Sequence, residues 1–412
     1  MITFWSKRIL FLKRLMGLHL VTFICFLLGV LFIQTYNAHT ACNPQFEQVN
    51  INGFGNISNR YSWSMKVFNN YLYVGTRNHD DGGEIWRYDG TDWENVVSGG
   101  FTSMNNTGFR NMAVLNGAIY AGTNNEISGA ELIRSFDGTN WEVVIDNGFG
   151  NMENASIRGM KVFIGYLYIG LQNTADGPGQ LFRTEDGTNF TPVTLDGFGN
   201  TDNASIHTLE VFNGRLYAAT KNREGGLQVW RNSDVDGLIF EMVVGPGAAT
   251  SEGFGNKRGN RTPMDMHIFN GQMYIGSINA GRGFGVWRTS DGLTYEQVVF
   301  NGFGDFGNAY PWRFETYENH IWLGTFNYLN IIFNKGGSLW RSSTGNLDEW
   351  EEMIGRHGIY MGYGFDNPCV WGIRSFAVFQ GKLYIGTAIN KWCRIKKYLG
   401  TEIWEWPGEE CP

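Results

Sequence analysis

Seven positions in this sequence occupy the same place in a repeating pattern and yet differ in type: Trp63, Arg110, Arg158, His207, Met264, Trp312 and Arg374. Three arginines, two tryptophans and one histidine form a chemically coherent set. A guanidinium fork binds carboxylate or sulfate through two parallel hydrogen bonds. A tryptophan face stacks on a sugar ring or a cation. A position that only supports a fold should hold one residue type in every repeat, and this one does not. The expectation is a ligand-binding set at a common mouth. Arg110, Arg158 and Arg374 would take an anionic ligand, a sugar acid or sulfated glycan. Trp63 and Trp312 would be stacking walls, with His207 beside them. The competing reading pairs each arginine with a local acid such as Asp265 or Glu315.

Other chemistry is thin. The chain has no GxSxG, no HExxH and no phosphate loop leading into a helix. The segment from Asn232 through Asp234 and Asp236 to Gly237 imitates the start of a calcium loop, but its twelfth position is Val243 rather than Glu. A widened turn is the expectation there. No metal and no cofactor is expected.

These residues need a scaffold, and the sequence describes one. A phrase of the type MKVFNNYLYVGT begins at Met65, Met112, Met160, Leu209, Met266, Phe314 and Phe376. Its copies are spaced 47 to 62 residues apart, the period of a solenoid, propeller or array. Each repeat reads as four strands. An alternating segment turns at Asn-Gly into a Leu-Tyr-rich strand. A third strand such as QVWR and a Gly-bearing turn lead to a fourth such as WEVV. Four-stranded units repeated radially make a β-propeller. The fold class expected is therefore all-β, a seven-bladed propeller of four antiparallel strands per blade over residues 42–412. The seventh repeat ends at Trp406 with no fourth strand. The segment from Phe46, FEQVNINGFGN, matches YEQVVFNGFGD from Tyr295. The N-terminal strand should complete blade seven and close the ring, leaving no open edge.

Composition agrees. The chain has 412 residues with 56 Gly, 9 Pro, 15 Trp, 18 Tyr and 30 Phe, and only 17% are charged. That excludes a disordered chain and a coiled coil. Beyond residue 41 there are 28 basic and 39 acidic residues. Apart from residues 391–397 no basic run stands there, so nucleic acid is excluded as a partner.

Residues 1–41 read as a targeting segment. Lys7, Arg8, Lys13 and Arg14 precede 19 residues, 15–33, without a formal charge. The positive-inside rule keeps the N-terminus cytoplasmic and exports the rest. The stretch suits a single-pass transmembrane helix. A small-x-small site at Ala38-His39-Thr40 leaves cleavage open, so the protein is either membrane-anchored through 15–33 or secreted. In an exported chain the even set Cys42, Cys369, Cys393 and Cys411 suggests disulfides. Strand order places Cys42 beside Cys411 and Cys369 beside Cys393.

An asparagine also recurs in every repeat, at Asn59, Asn106, Asn154, Asn203, Asn260, Asn308 and Asn367. Turn capping through the backbone is expected of it. The long loops at 328–334 and 391–400 break the pattern, and loops of that kind often carry function. Tyr310, Trp371 and Trp392 should lie in that sector.

Three hairpins, from Ser135 to Trp141, Thr184 to Phe190 and Thr289 to Tyr295, look like the Asp-box of sialidase-type and BNR-repeat propellers, with one residue fewer before the aromatic. With its GFGN connectors, the whole repeat resembles exported microbial propeller-repeat proteins over residues 46–406. The resemblance implies a fold, and it implies that Asp137, Asp186 and Asp291 are structural rather than catalytic. Two function classes stay open. One is a monomeric, non-catalytic extracytoplasmic propeller that binds an anionic glycan or another extracellular protein. The other is a glycan-active enzyme, a hydrolase or a lyase, in which His207 and Tyr310 would serve with the arginines.

Overall fold

The computed structural model describes residues 45–175, 177–330 and 335–409. The segment 15–33, Cys42 and Cys411 therefore lie outside the described residues, as does part of the 328–334 loop. Among the described residues no helix is long and apolar enough to cross a membrane.

The described chain is all-β. Its strands pair as antiparallel four-stranded meanders, one per sequence repeat. The first comprises Tyr61–Phe68, Tyr71–Arg77, Ile85–Tyr88 and Trp93–Val97. The last comprises Val370–Phe379, Lys382–Ile389 and Ile403–Trp406, with the N-terminal strand Glu47–Gln48 as its fourth. Glu47 stands opposite Glu405 and Gln48 opposite Trp404. Tyr61 of the first unit also bridges to Ala388 of the last. The first and last of the described repeats are thus joined by backbone hydrogen bonds, which leaves no free edge at the junction.

Gly-Phe connectors tie each unit to the next, extended to Gly-Phe-Gly in five of the seven. In Gly53-Phe54 the backbone is left-handed at both residues, with φ of 59° and 58°. A phenylalanine is rarely found there. Its ring recovers the cost by stacking on the third strand of the unit that follows. Phe54 lies 4.8 Å from Trp86, Phe254 4.4 Å from Trp287 and Phe303 4.0 Å from Trp340. The recurrent asparagine holds the same turn. Its side-chain amide donates to the connector glycine carbonyl, from Asn59 to Gly53 at 3.0 Å and from Asn203 to Gly197 at 2.8 Å. Its own oxygen accepts from an asparagine 19 residues on, as Asn106 does from Asn125 at 2.9 Å. In the last unit Asn367 instead donates to Glu402 at 2.6 Å. These asparagines are buried, and all but Asn154, whose Oδ1 has no partner among the described residues, use both ends of the amide within the fold. The bond runs across the connector to its glycine, a tighter role than capping their own turn.

The hairpins resembling Asp-boxes are also structural. Asp137 accepts from the backbone N–H of Thr139 and Asn140, and Asp186 and Asp291 repeat the arrangement. These bonds hold all three carboxyls well below the usual carboxylate range. Asp234 likewise caps its widened turn through the N–H groups of Leu238 and Ile239. Among the described residues no cluster could hold a metal.

Candidate functional site

The first strands of all seven units line one central channel. In every unit, pairing between the first and second strands slips by one residue near the start of the first strand. The slips fall between Ser62 and Ser64, Phe109 and Asn111, Ile157 and Gly159, and Ile206 and Thr208. They recur between Pro263 and Asp265, Pro311 and Arg313, and Ile373 and Ser375. The residue left over at each slip is Trp63, Arg110, Arg158, His207, Met264, Trp312 or Arg374. A β-bulge of this kind kinks the strand and re-aims the extra side chain. All seven of these side chains line one cavity of about 520 Å³ at an end of the channel.

The cavity walls are divided. Arg110, Arg158, His207 and Lys221 come from the second, third and fourth units. Tyr310, Trp312, Phe326 and Trp371 come from the sixth and seventh. Arg77, Lys221, Phe326 and Tyr61 had no signal in the repeat comparison. Tyr61 opens the bulged strand itself, and the other three sit on its bonded neighbour, the second strand, where only pairing across strands shows their reach. Five cations line the cavity, Arg77, Arg110, Arg158, Lys221 and Arg374, against one carboxylate, the exposed Glu126.

None of the three mouth arginines has a carboxylate partner among the described residues. Asp265, a candidate partner in sequence, is taken by Arg313 at 2.9 Å, one residue deeper in the channel. Glu315 caps the N–H of Thr316. Arg374 is 4% exposed. Burial, then repulsion from Arg313 and Arg158, pulls its pKa down to about 9. Burial and the charge of Arg77 bring Arg158 to about 9 as well, and its Nε has no hydrogen-bond partner. Both remain charged at neutral pH. His207 is held well below the ordinary histidine range by burial and by Arg158, Lys221 and Arg374. It is neutral at pH 7, and its Nδ1 lies 3.3 Å from Ser205 Oγ.

The two mouth tryptophans do not offer open faces. The Arg110 guanidinium lies 4.6 Å from the Trp63 ring centre, and that of Arg374 lies 5.2 Å from Trp312. On the same rings, a Cβ added at Gly108 would come within 2.5 Å of Trp63, and one at Gly372 within 2.0 Å of Trp312. Both tryptophans are buried. The open stacking walls expected of them are not seen: each lies against a glycine backbone of the next unit and under an arginine, with Arg77 also 5.0 Å from the Trp63 ring centre and Phe326 5.0 Å from that of Trp312.

Trp371, buried like the other two, also lines the cavity and carries Trp392 edge-on at 5.8 Å. Cys369 and Cys393 form a disulfide with Cα atoms 5.7 Å apart. It ties the 391–400 loop to the strand that bears Trp371 and Arg374. Tyr310 lines the cavity too, and its ring lies 4.5 Å from Phe326.

No protein-family model matches the chain, and neither does any curated protein. Solved structures are similar in fold. One is PorZ, a bacterial surface component of the type-IX secretion system of Porphyromonas gingivalis, at 13% identity and a TM-score of 0.54, covering 85% of this chain and 46% of that one. A second is the GH74 xyloglucanase from Xanthomonas campestris, at 15% identity and 0.51, covering 87% and 55%. A third is the Neurospora crassa Pan2 WD40 domain, at 10% identity and 0.51, covering 89% and 96%. The chain thus spans about half the length of the first two. At these identities the likeness shows an all-β, propeller-type fold and nothing of activity.

Proposed function

We propose that this protein is a seven-bladed propeller, closed by its N-terminal strand, that binds an anionic carbohydrate at the channel mouth without transforming it. The observation that carries this reading is the pair Arg158 and Arg374. Two guanidinium groups line one cavity and neither is paired with a carboxylate among the described residues, the cavity's one acid, Glu126, being exposed. Buried charge is costly unless paired, so the missing negative charge is best supplied by a ligand. An acidic group of a glycan supplies it and meets the fork geometry. The cavity size lies within the range of small-molecule sites.

Binding without chemistry is supported by the surroundings of His207. A general acid or base must reach its proton partner. His207 is neutral, with Ser205 as its bonded side chain, and no carboxylate among the described residues is bonded to it. Export through the N-terminal segment belongs to the same proposal and places the mouth outside the cytoplasm.

An array of acidic and neutral glycans, probed with the protein, tests the reading. Uronate-bearing or sulfated glycans should be retained and their neutral counterparts should not. Retention that survives Arg158→Gln together with Arg374→Gln would place the site elsewhere. Turnover of a bound glycan would move the assignment to the enzyme class.

A further inference from the structure

Two of the mouth arginines are presented by the same device, used twice. In the first, Trp63 of blade one lies against Gly108 of blade two and carries Arg110, two residues further along. In the second, Trp312 of blade six lies against Gly372 of blade seven and carries Arg374, again two residues along. Both glycines are the residues through which neighbouring blades bridge, Arg77 to Gly108 and Phe326 to Gly372. A side chain at either glycine would push the indole away. The bulge then turns the arginine over the ring. The indole attracts the guanidinium through its π-face but does not neutralise it, so the plane is fixed while its hydrogen-bonding edge stays available.

We infer that the mouth is a two-station site for a polyanion, a glycan fragment with at least two acidic groups that engages Arg110 and Arg374 together. This rests on the anion-binding reading and sharpens it. Two observations point beyond a single acid group. The cavity holds five cations against one carboxylate, so one negative charge leaves most of the repulsion in place. Arg110 and Arg374 stand in the blades on either side of blade one, whose Tyr61 packs against both tryptophans, and a ligand that meets both stations gains from linking two contacts. Arg158, in blade three, adds its charge without a platform of its own. Trp63, Trp312, Gly108 and Gly372 are positioning residues in this scheme.

Titration calorimetry at fixed salt tests it with two probes: glucuronate, with one carboxylate, and a disulfated hexuronate–hexosamine disaccharide, with three acidic groups. The disaccharide should bind at least about tenfold more tightly, by the linkage of two contacts. Arg374→Lys keeps the charge but loses the planar stack. It should cost the disaccharide about tenfold and glucuronate no more than about twofold, since glucuronate keeps the other station. Gly372→Ala should do the same by displacing Trp312. If that variant does not fold, Arg374→Lys still decides, because it leaves the glycine intact. Inorganic tripolyphosphate separates charge from sugar. Binding about as tight as the disaccharide's would keep the two stations and overturn their assignment to a glycan. Failure of every probe overturns the anion-binding reading itself. Binding of glucuronate as tight as that of the disaccharide, or equal losses for both probes in Arg374→Lys, leaves anion binding standing and overturns the two-station inference.

Discussion

In the interior of the channel, Lys161 pairs with Glu210, and Arg313 with Asp265 at 2.9 Å. Three cations there, Lys66, Lys161 and Arg313, meet three carboxylates, Glu210, Asp265 and Glu315, around a cavity of about 230 Å³. At the mouth, on the same strands, Arg110, Arg158 and Arg374 meet none. The two layers share a backbone and differ in how they settle charge. The interior settles it within the fold, so its ions are structural. The mouth leaves it open, at a cost in stability that the proposed anionic ligand would offset.

Four experiments press on that difference. The largest effect is expected from Arg313→Met in the interior. It strands Asp265, which otherwise accepts from Arg313 and from the N–H of Phe314. Breaking a buried pair from one side costs about 3–5 kcal/mol. Urea denaturation should show that loss, and a loss under about 1 kcal/mol would mean that the interior pairs are as dispensable as surface ones.

Next is Arg158→Met at the mouth. Removing one partner of a desolvated ionic contact weakens binding by about 2–5 kcal/mol. Because Arg158 has no acid partner in the free protein, its removal should hold the denaturation midpoint or raise it. A lower midpoint with unchanged ligand binding would make Arg158 a structural residue like Arg313.

The third experiment acts on the rim. Replacing Cys369 and Cys393 by Ala opens a bridge with a sequence separation of 24, for which about 3 kcal/mol is expected. Interior pairs should be untouched, and ligand affinity should fall only as far as Trp371 and Arg374 loosen. A midpoint within about 0.5 kcal/mol of the parent would show that the loop is held by packing instead of the bridge.

The smallest effect is in pH. The proposed anionic ligand would meet the charged guanidinium, whose pKa in the free protein is pulled down to about 9 at Arg158 and Arg374. Affinity should be flat from pH 6 to 8, because His207 stays neutral there. It should then fall as pH rises through 9, by up to about tenfold per unit for each arginine. A rise in affinity between pH 7 and 5 would instead point to His207 taking a proton and joining the site.

The sequence by itself determined the repeat and its turns. Period-2 strands, Asn-Gly hairpins and Gly-Phe-Gly connectors are local signals, set by backbone preference within a few residues. The match of Phe46 to Tyr295 exposed the strand that pairs with Ile403–Trp406. The mouth residues were legible too, because one column of an otherwise regular repeat lost its uniformity. What they do with one another was not. A bulge is a mismatch between two strands and leaves no mark in either strand alone. The same holds for Asp265, which could have served Arg158 or Arg374 and is taken by Arg313. Gly108 and Gly372 look like ordinary strand glycines until Trp63 and Trp312 of the preceding repeats are laid against them. These contacts join residues some 45 to 60 positions apart, and only the tertiary structure, by fixing blade against blade, decided which charge was paired and which was left open.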